Sequence, residues 1–165
     1  MAIRAAAKCR KLAAANAASS RPGIACEGGL PVARILIVDD DTDLLEGQKV
    51  YLEKKGYTVQ TALSIDEGLA CARETAPDLV IADLMMEHYD SGFVFCKKVR
   101  DLPGLEKVPI LMQTAAPRKM GFAFETGASP GREWMKVDEV LTKPVPLEHL
   151  LGKIEQYLSA RSSHA

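Results

Sequence analysis

Beyond Val32 the chain alternates between short apolar runs and longer stretches in which apolar residues return every three or four positions. Ile35 to Val38 is a fully apolar run and predicts a buried strand. Leu44, Leu45, Tyr51 and Leu52 then recur at helical spacing, and Gly56 ends that helix. Tyr57 to Ala62 alternates like a strand. Ser64 followed by Glu67 has the spacing of a capping box, and Ile65, Leu69, Ala72 and Ala76 give the helix behind it one apolar face, broken by Pro77. Leu79 to Ala82 predicts a third strand. Ser91 to Arg100 predicts a helix with Phe93, Cys96 and Val99 facing inward, stopped at Pro103 and Gly104. Val108 to Met112 and Val137 to Leu141 predict the fourth and fifth strands. A last amphipathic helix carries Leu147, Leu150, Leu151, Ile154, Tyr157 and Leu158. Short apolar strands alternating with helices imply a parallel α/β sheet covered on both faces.

Such sheets bind ligands beyond the carboxyl ends of their strands. Four of the five predicted strands deliver a polar residue there. Asp39 and Asp40 follow the first, Asp83 the third, Thr114 the fourth and Lys143 the fifth. Two carboxylates about 4 Å apart repel by roughly 4 kcal/mol at an effective dielectric near 20. Crowded carboxylates therefore need a counter-charge, and a hard cation such as Mg²⁺ supplies one through oxygen ligands. Asp83 is placed to act as a nucleophile toward phosphorus, with Mg²⁺ and Lys143 supplying positive charge and Thr114 a hydroxyl donor. A calcium loop beginning at Asp39 is excluded, because Leu44 stands where glycine is required and Val50 where a bidentate glutamate belongs. No base poised to activate water is evident, which argues against a phosphatase.

Charge and composition set the outer limits. The 165 residues carry a formal net charge of −1, unevenly distributed. Up to Arg34 the basic residues are Arg4, Lys8, Arg10, Lys11, Arg21 and Arg34, against Glu27 alone. Residues 1–31 read as a disordered or weakly helical basic extension; a transit-type targeting peptide and a partner-touching arm are the other readings. Residues 32–160 form the predicted domain and 161–165 a tail. The balanced total gives no support for nucleic-acid binding by the body, and no apolar run reaches the roughly 18 residues of a membrane span. Cys9, Cys26, Cys71 and Cys96 contain no C-x-x-C pair, so four reduced thiols in a cytoplasmic protein are expected.

The segments ILIVDDD, PDLVIADLMM, VPILMQTA and VLTKPV, in this order, resemble the receiver domain of bacterial two-component response regulators, of the stand-alone, CheY-like kind. The resemblance covers roughly residues 33 to 160. It implies a flavodoxin-like, doubly wound sheet of five parallel strands in the order 2-1-3-4-5. It also implies that Asp83 is a phosphoacceptor served by a sensor histidine kinase or a phosphotransfer protein, with an unidentified downstream protein partner and no turnover chemistry of its own. By the same resemblance Asp40, Asp83 and the backbone carbonyl of Met85 ligate Mg²⁺ (or Mn²⁺), with Asp39 as a second or water-mediated ligand. Thr114 is then the switch hydroxyl, Lys143 the phosphate's ion pair, and the bond before Pro144 cis.

Some positions depart from the family pattern. Glu87 replaces a proline, and His88 to Gly92 make the following loop one residue longer. Val140 stands where an aromatic reporter of Thr114 is usual, so output coupling must differ or must use another aromatic, or the chain is a constitutive interaction module that no longer switches. Between the fourth and fifth strands, in the segment 115–136, Gly121, Gly127, Pro130 and Gly131 predict a fourth helix that is short, displaced or replaced by a loop, pinned by Phe122, Phe124 and Trp134.

Overall fold

In each inner strand, alternate side chains leave for opposite faces, and two separate cores result. The computed structural model describes residues 33–86, 91–115 and 137–162. Along these the elements are β1 (Arg34–Val38), α1 (Thr42–Lys54), β2 (Thr58–Ala62), α2 (Ile65–Thr75), β3 (Leu79–Asp83), α3 (Ser91–Arg100), β4 (Ile110–Thr114), β5 (Glu139–Thr142) and α4 (Leu147–Ser162). The strands are all parallel and lie in the order β2-β1-β3-β4-β5, the flavodoxin-like topology. Leu36, Val38, Val80, Ala82, Ile110 and Met112 share one core with α2 and α3. Ile35, Ile37, Leu79, Ile81 and Leu111 share the other with α1 and α4. Two-sided burial explains why these strands read as unbroken apolar runs.

Element ends are set by hydrogen bonding. Asp41 caps α1, its carboxylate accepting from the backbone N–H groups of Asp43 and Leu44 at 3.0 and 3.1 Å. Gly56, at φ 92°, takes the left-handed turn that releases the chain into β2. The Ser64 hydroxyl accepts from Glu67 N–H, while the Glu67 carboxylate reaches back to the N–H of Leu63, one residue before the cap. α2 ends at Ala76 in a left-handed conformation, φ 43°, immediately before Pro77.

Two strands sit later than the apolar pattern predicts. β4 starts at Ile110 because Pro109 has no N–H to give the ladder; its carbonyl instead accepts from Val80. β4 also continues through Gln113 and Thr114, both buried although polar. β5 is Glu139–Thr142, and Asp138 just ahead of it accepts from Ile110 N–H and Arg100, both at 2.7 Å. α4 runs from Leu147 to Ser162. Cys71 is disulfide-bonded, contrary to the expectation of four reduced thiols; Cys96 is free and buried. The readings of residues 1–31, of Glu87 to Asp90, and of Phe122, Phe124, Trp134 and the helix between β4 and β5 lie outside the described residues. Among the described residues, no helix is long and apolar enough to cross a membrane.

Candidate functional site

Parallel pairing brings the carboxyl ends of β1, β3, β4 and β5 to one rim. Asp83 closes β3 opposite Gln113, and Thr114 closes β4 opposite Thr142, directly before Lys143. Asp39 leaves β1 with its N–H bonded to the Ala62 carbonyl. Asp39, Asp40 and Asp83 each offer a carboxylate oxygen within 4.8 Å of the others. Asp39 and Asp83 are buried, at 2% and 6% exposure, while Asp40 faces solvent.

Lys143 links the two buried acids. Its Nζ lies 2.6 Å from Asp39 Oδ2 and 3.1 Å from Asp83 Oδ2. Asp39 Oδ1 accepts from the backbone N–H of Asp41, and Asp83 Oδ1 from that of Met85. The Lys143 N–H bonds the Thr114 carbonyl at 2.8 Å, and the Lys143–Pro144 bond is cis. Thr114 is fully buried at the strand end.

Burial pushes the Asp83 carboxyl above the usual range. The Lys143 ammonium opposes this, Asp39 reinforces it, and the Met85 N–H opposes it more weakly. Burial also works against the charge on Lys143, but hydrogen bonds and charge from Asp39 and Asp83 together outweigh it and raise its pKa. The shorter contact is to Asp39, so the ammonium is spent mainly there, and Asp83 keeps the penalty of its burial.

Three carboxylates and one ammonium leave two formal negative charges (3 − 1 = 2), matched by one divalent cation. The donor set is all oxygen, and one member is open to solvent. These residues fit a hard ion such as Mg²⁺.

Four residues in this geometry are not part of the apolar pattern itself. Asp41 is committed to capping α1. Gly92, at the start of α3, lies so close to β3 that a Cβ there would stand 2.5 Å from the Asp83 carbonyl oxygen and 2.7 Å from Leu84 Cα. Gln48 and Gln113 meet in a buried amide contact beneath the rim, with Gln48 Nε2 donating to Gln113 Oε1 at 3.1 Å. The visible signal for Gln48 was a polar residue on the Leu45–Leu52 stripe; for Gln113 it was its place two residues after Leu111 in the strand's alternation.

The family model for the response regulator receiver domain matches residues 35–155. The DNA-binding dual master transcriptional regulator RpaA of Synechocystis is 35% identical over 127 residues, covering 76% of this chain and 48% of that protein. Response regulator PleD of Caulobacter vibrioides is 36% identical over 129 residues, covering 74% of this chain and 25% of PleD. The chain thus spans about half the length of these curated relatives or less. Among solved structures, a CheY-like receiver domain protein from Methanospirillum hungatei superposes with a TM-score of 0.68 at 28% identity, covering 82% of this chain and 100% of that one. The chemotaxis protein CheY4 of Vibrio cholerae gives 0.64 at 29% identity, covering 77% and 99%. With the fold, the strand order and the matched span in agreement, the chain belongs to the response regulator receiver family.

Proposed function

We propose that this chain is a phosphorylatable receiver that accepts a phosphoryl group on Asp83 and signals through contact with another protein in the cytoplasm. The donor is a phosphohistidine of a sensor kinase or phosphotransfer protein. The observation that carries this reading is Lys143 Nζ lying 3.1 Å from Asp83 Oδ2 inside a cluster of three carboxylates. An Asp83 oxygen forms the new P–O bond as the P–N bond to histidine breaks, and the electron pair stays with the imidazole nitrogen, which takes a proton. Asp39, Asp40, Asp83 and the backbone carbonyl of Met85 would hold Mg²⁺, or Mn²⁺. When bound, the ion supplies positive charge to the phosphoryl oxygens. Lys143 supplies a second positive charge and Thr114 a hydroxyl hydrogen bond. The chain carries a phosphoryl group rather than turning over a substrate, and neither nucleic acid nor membrane enters this role.

Asp83→Asn is expected to abolish labelling by a phosphorylated kinase or a small acyl phosphate, read by intact mass, with the fold retained by circular dichroism. Labelling that persists in this variant would reject the assignment.

One observation favours a second reading, a constitutive interaction module. Val140 is packed against the core that β3 and β4 share with α2 and α3, and its own side chain has no ring to swing. Partner affinity measured with and without beryllofluoride and Mg²⁺ separates the two: a switch changes affinity, and a constitutive module does not.

A further inference from the structure

Beneath the rim, between α1 and β4, lie the two buried glutamines, Gln48 and Gln113. Gln48 is 4% exposed and Gln113 1%. They share one hydrogen bond, 3.1 Å long. The remaining amide atoms, Gln48 Oε1 and Gln113 Nε2, are buried without a protein partner. Gln48 lies between Leu45 and Leu52 on the buried stripe of α1, and Gln113 follows Leu111 by two positions in β4; all three leucines belong to the core between the sheet, α1 and α4. A buried amide that leaves donor and acceptor capacity unfilled is worse for stability than an apolar pair of the same shape. Stability therefore does not account for this pair.

Its position does. The Gln113 carbonyl accepts from Leu84 N–H at 2.8 Å, and its Cα is in register with that of Asp83. The next carbonyl along, that of Thr114, accepts from Lys143 N–H at 2.8 Å. Gln113 is thus the residue of β4 that spaces the acceptor aspartate from the lysine. Gln48 sits on α1, whose cap, Asp41, also fixes Asp39 through a 3.0 Å bond. A hydrogen bond is directional, whereas aliphatic contacts allow a helix to slide along its groove.

We propose that the Gln48–Gln113 amide pair is a positioning device that locks α1 to β4, and so holds Asp39 and Asp40 at the correct distance from Asp83 and Lys143. The proposal rests on the phosphoacceptor reading only for its kinetic readout; Mg²⁺ affinity tests it separately. Both glutamines are positioning residues, acting through the acids and the lysine.

The test compares the native chain with the double variant Gln48→Leu/Gln113→Leu and the single variant Gln113→Leu. Thermal unfolding, Mg²⁺ affinity by isothermal titration, and labelling by acetyl phosphate at saturating Mg²⁺ are measured for each. The double variant is expected to melt at or above the native temperature, yet to bind Mg²⁺ on the order of tenfold more weakly and to take label correspondingly more slowly, as loss of an outer-shell support does elsewhere. The single variant, which strands one amide, is expected to melt lower. A double variant with native Mg²⁺ affinity and labelling rate would overturn the proposal, as would one whose melting temperature falls below that of Gln113→Leu. If Mg²⁺ affinity drops while neither native nor variant protein takes label, the positioning role stands and the phosphoacceptor reading fails. A native chain that binds no Mg²⁺ would sink both.

Discussion

Three consecutive aspartates follow β1, and each meets a different environment. Asp39 is buried against Lys143, Asp40 is open to solvent, and Asp41 caps α1. Identical chemistry thus divides into a charge-paired acid, a solvent-facing acid and a structural cap, because the chain turns by one residue at each step. Burial decides the behaviour of another residue, Cys96. It pushes the thiol up from 9.0 to about 12; Arg100 works against this and Asp138 with it. A pKa raised in the folded state contributes stability that is complete below the unfolded value and lost as pH climbs through the folded one. Stability is therefore expected to decline between about pH 9 and 12. The decline should be shallower in Cys96→Ala, whatever that variant's baseline, with Tyr57, whose pKa burial also raises, accounting for part of what remains. Denaturant melts at several alkaline pH values check this. Equal slopes in the two proteins would mean that the thiol is not buried as described.

At the scale of elements, close approach is the controlling feature. α2 packs so tightly that a Cβ on Gly68 would stand 2.9 Å from Val38 Cγ2 and from Phe95 Cε2. Phe95 is fully buried there, joining α3 to α2 as well as to the sheet. Gly92 is more consequential for the site, because the atoms that a Cβ would strike belong to the backbone of Asp83 and Leu84. Backbone cannot rotate aside as a flexible side chain can. Gly92→Ala is expected to cost about 1–3 kcal/mol of stability, the usual penalty for forcing an extra carbon into a packed interface. Because the displaced atoms carry Asp83, Mg²⁺ binding should weaken as well. Urea melts together with Mg²⁺ titration check both effects, and Gly92→Ala with native stability would show that α3 has room to move away.

For the molecule as a whole, the same rim that gathers the acids makes stability dependent on what binds there. Two formal negative charges remain after Lys143 is counted, and folding is what concentrates them. A ligand that binds only the folded state stabilises it by about 2.7 kcal/mol at a hundredfold excess over its Kd. Mg²⁺ is therefore expected to raise Tm by several degrees in the native chain, and by much less in Asp40→Asn. Calorimetry over a Mg²⁺ series, with Na⁺ at matched ionic strength, separates site binding from general screening. A Tm that follows ionic strength alone would remove the ion from the account.

Much of this architecture was written into the order of residues. Apolar runs ending in Asp39, Asp83, Thr114 and Lys143 announced a parallel sheet with polar strand ends, since burial on both faces demands continuous apolar runs and only the ends can be charged. The helix Ser91–Arg100 was legible because its apolar period is strong and proline and glycine stop it. Periodicity tells which way a side chain points, but not what waits there. That Lys143 bonds more closely to Asp39 than to Asp83, that Gln48 meets Gln113, and that Gly92 presses on the Asp83 backbone all depend on the order β2-β1-β3-β4-β5. That order places residues 65 and 104 positions apart within hydrogen-bonding distance. One-dimensional pattern carries orientation. Partnership arises only when distant strands are laid side by side, because hydrogen bonds and ion pairs act over a few ångströms, and the chain alone does not specify which distant groups will come that close.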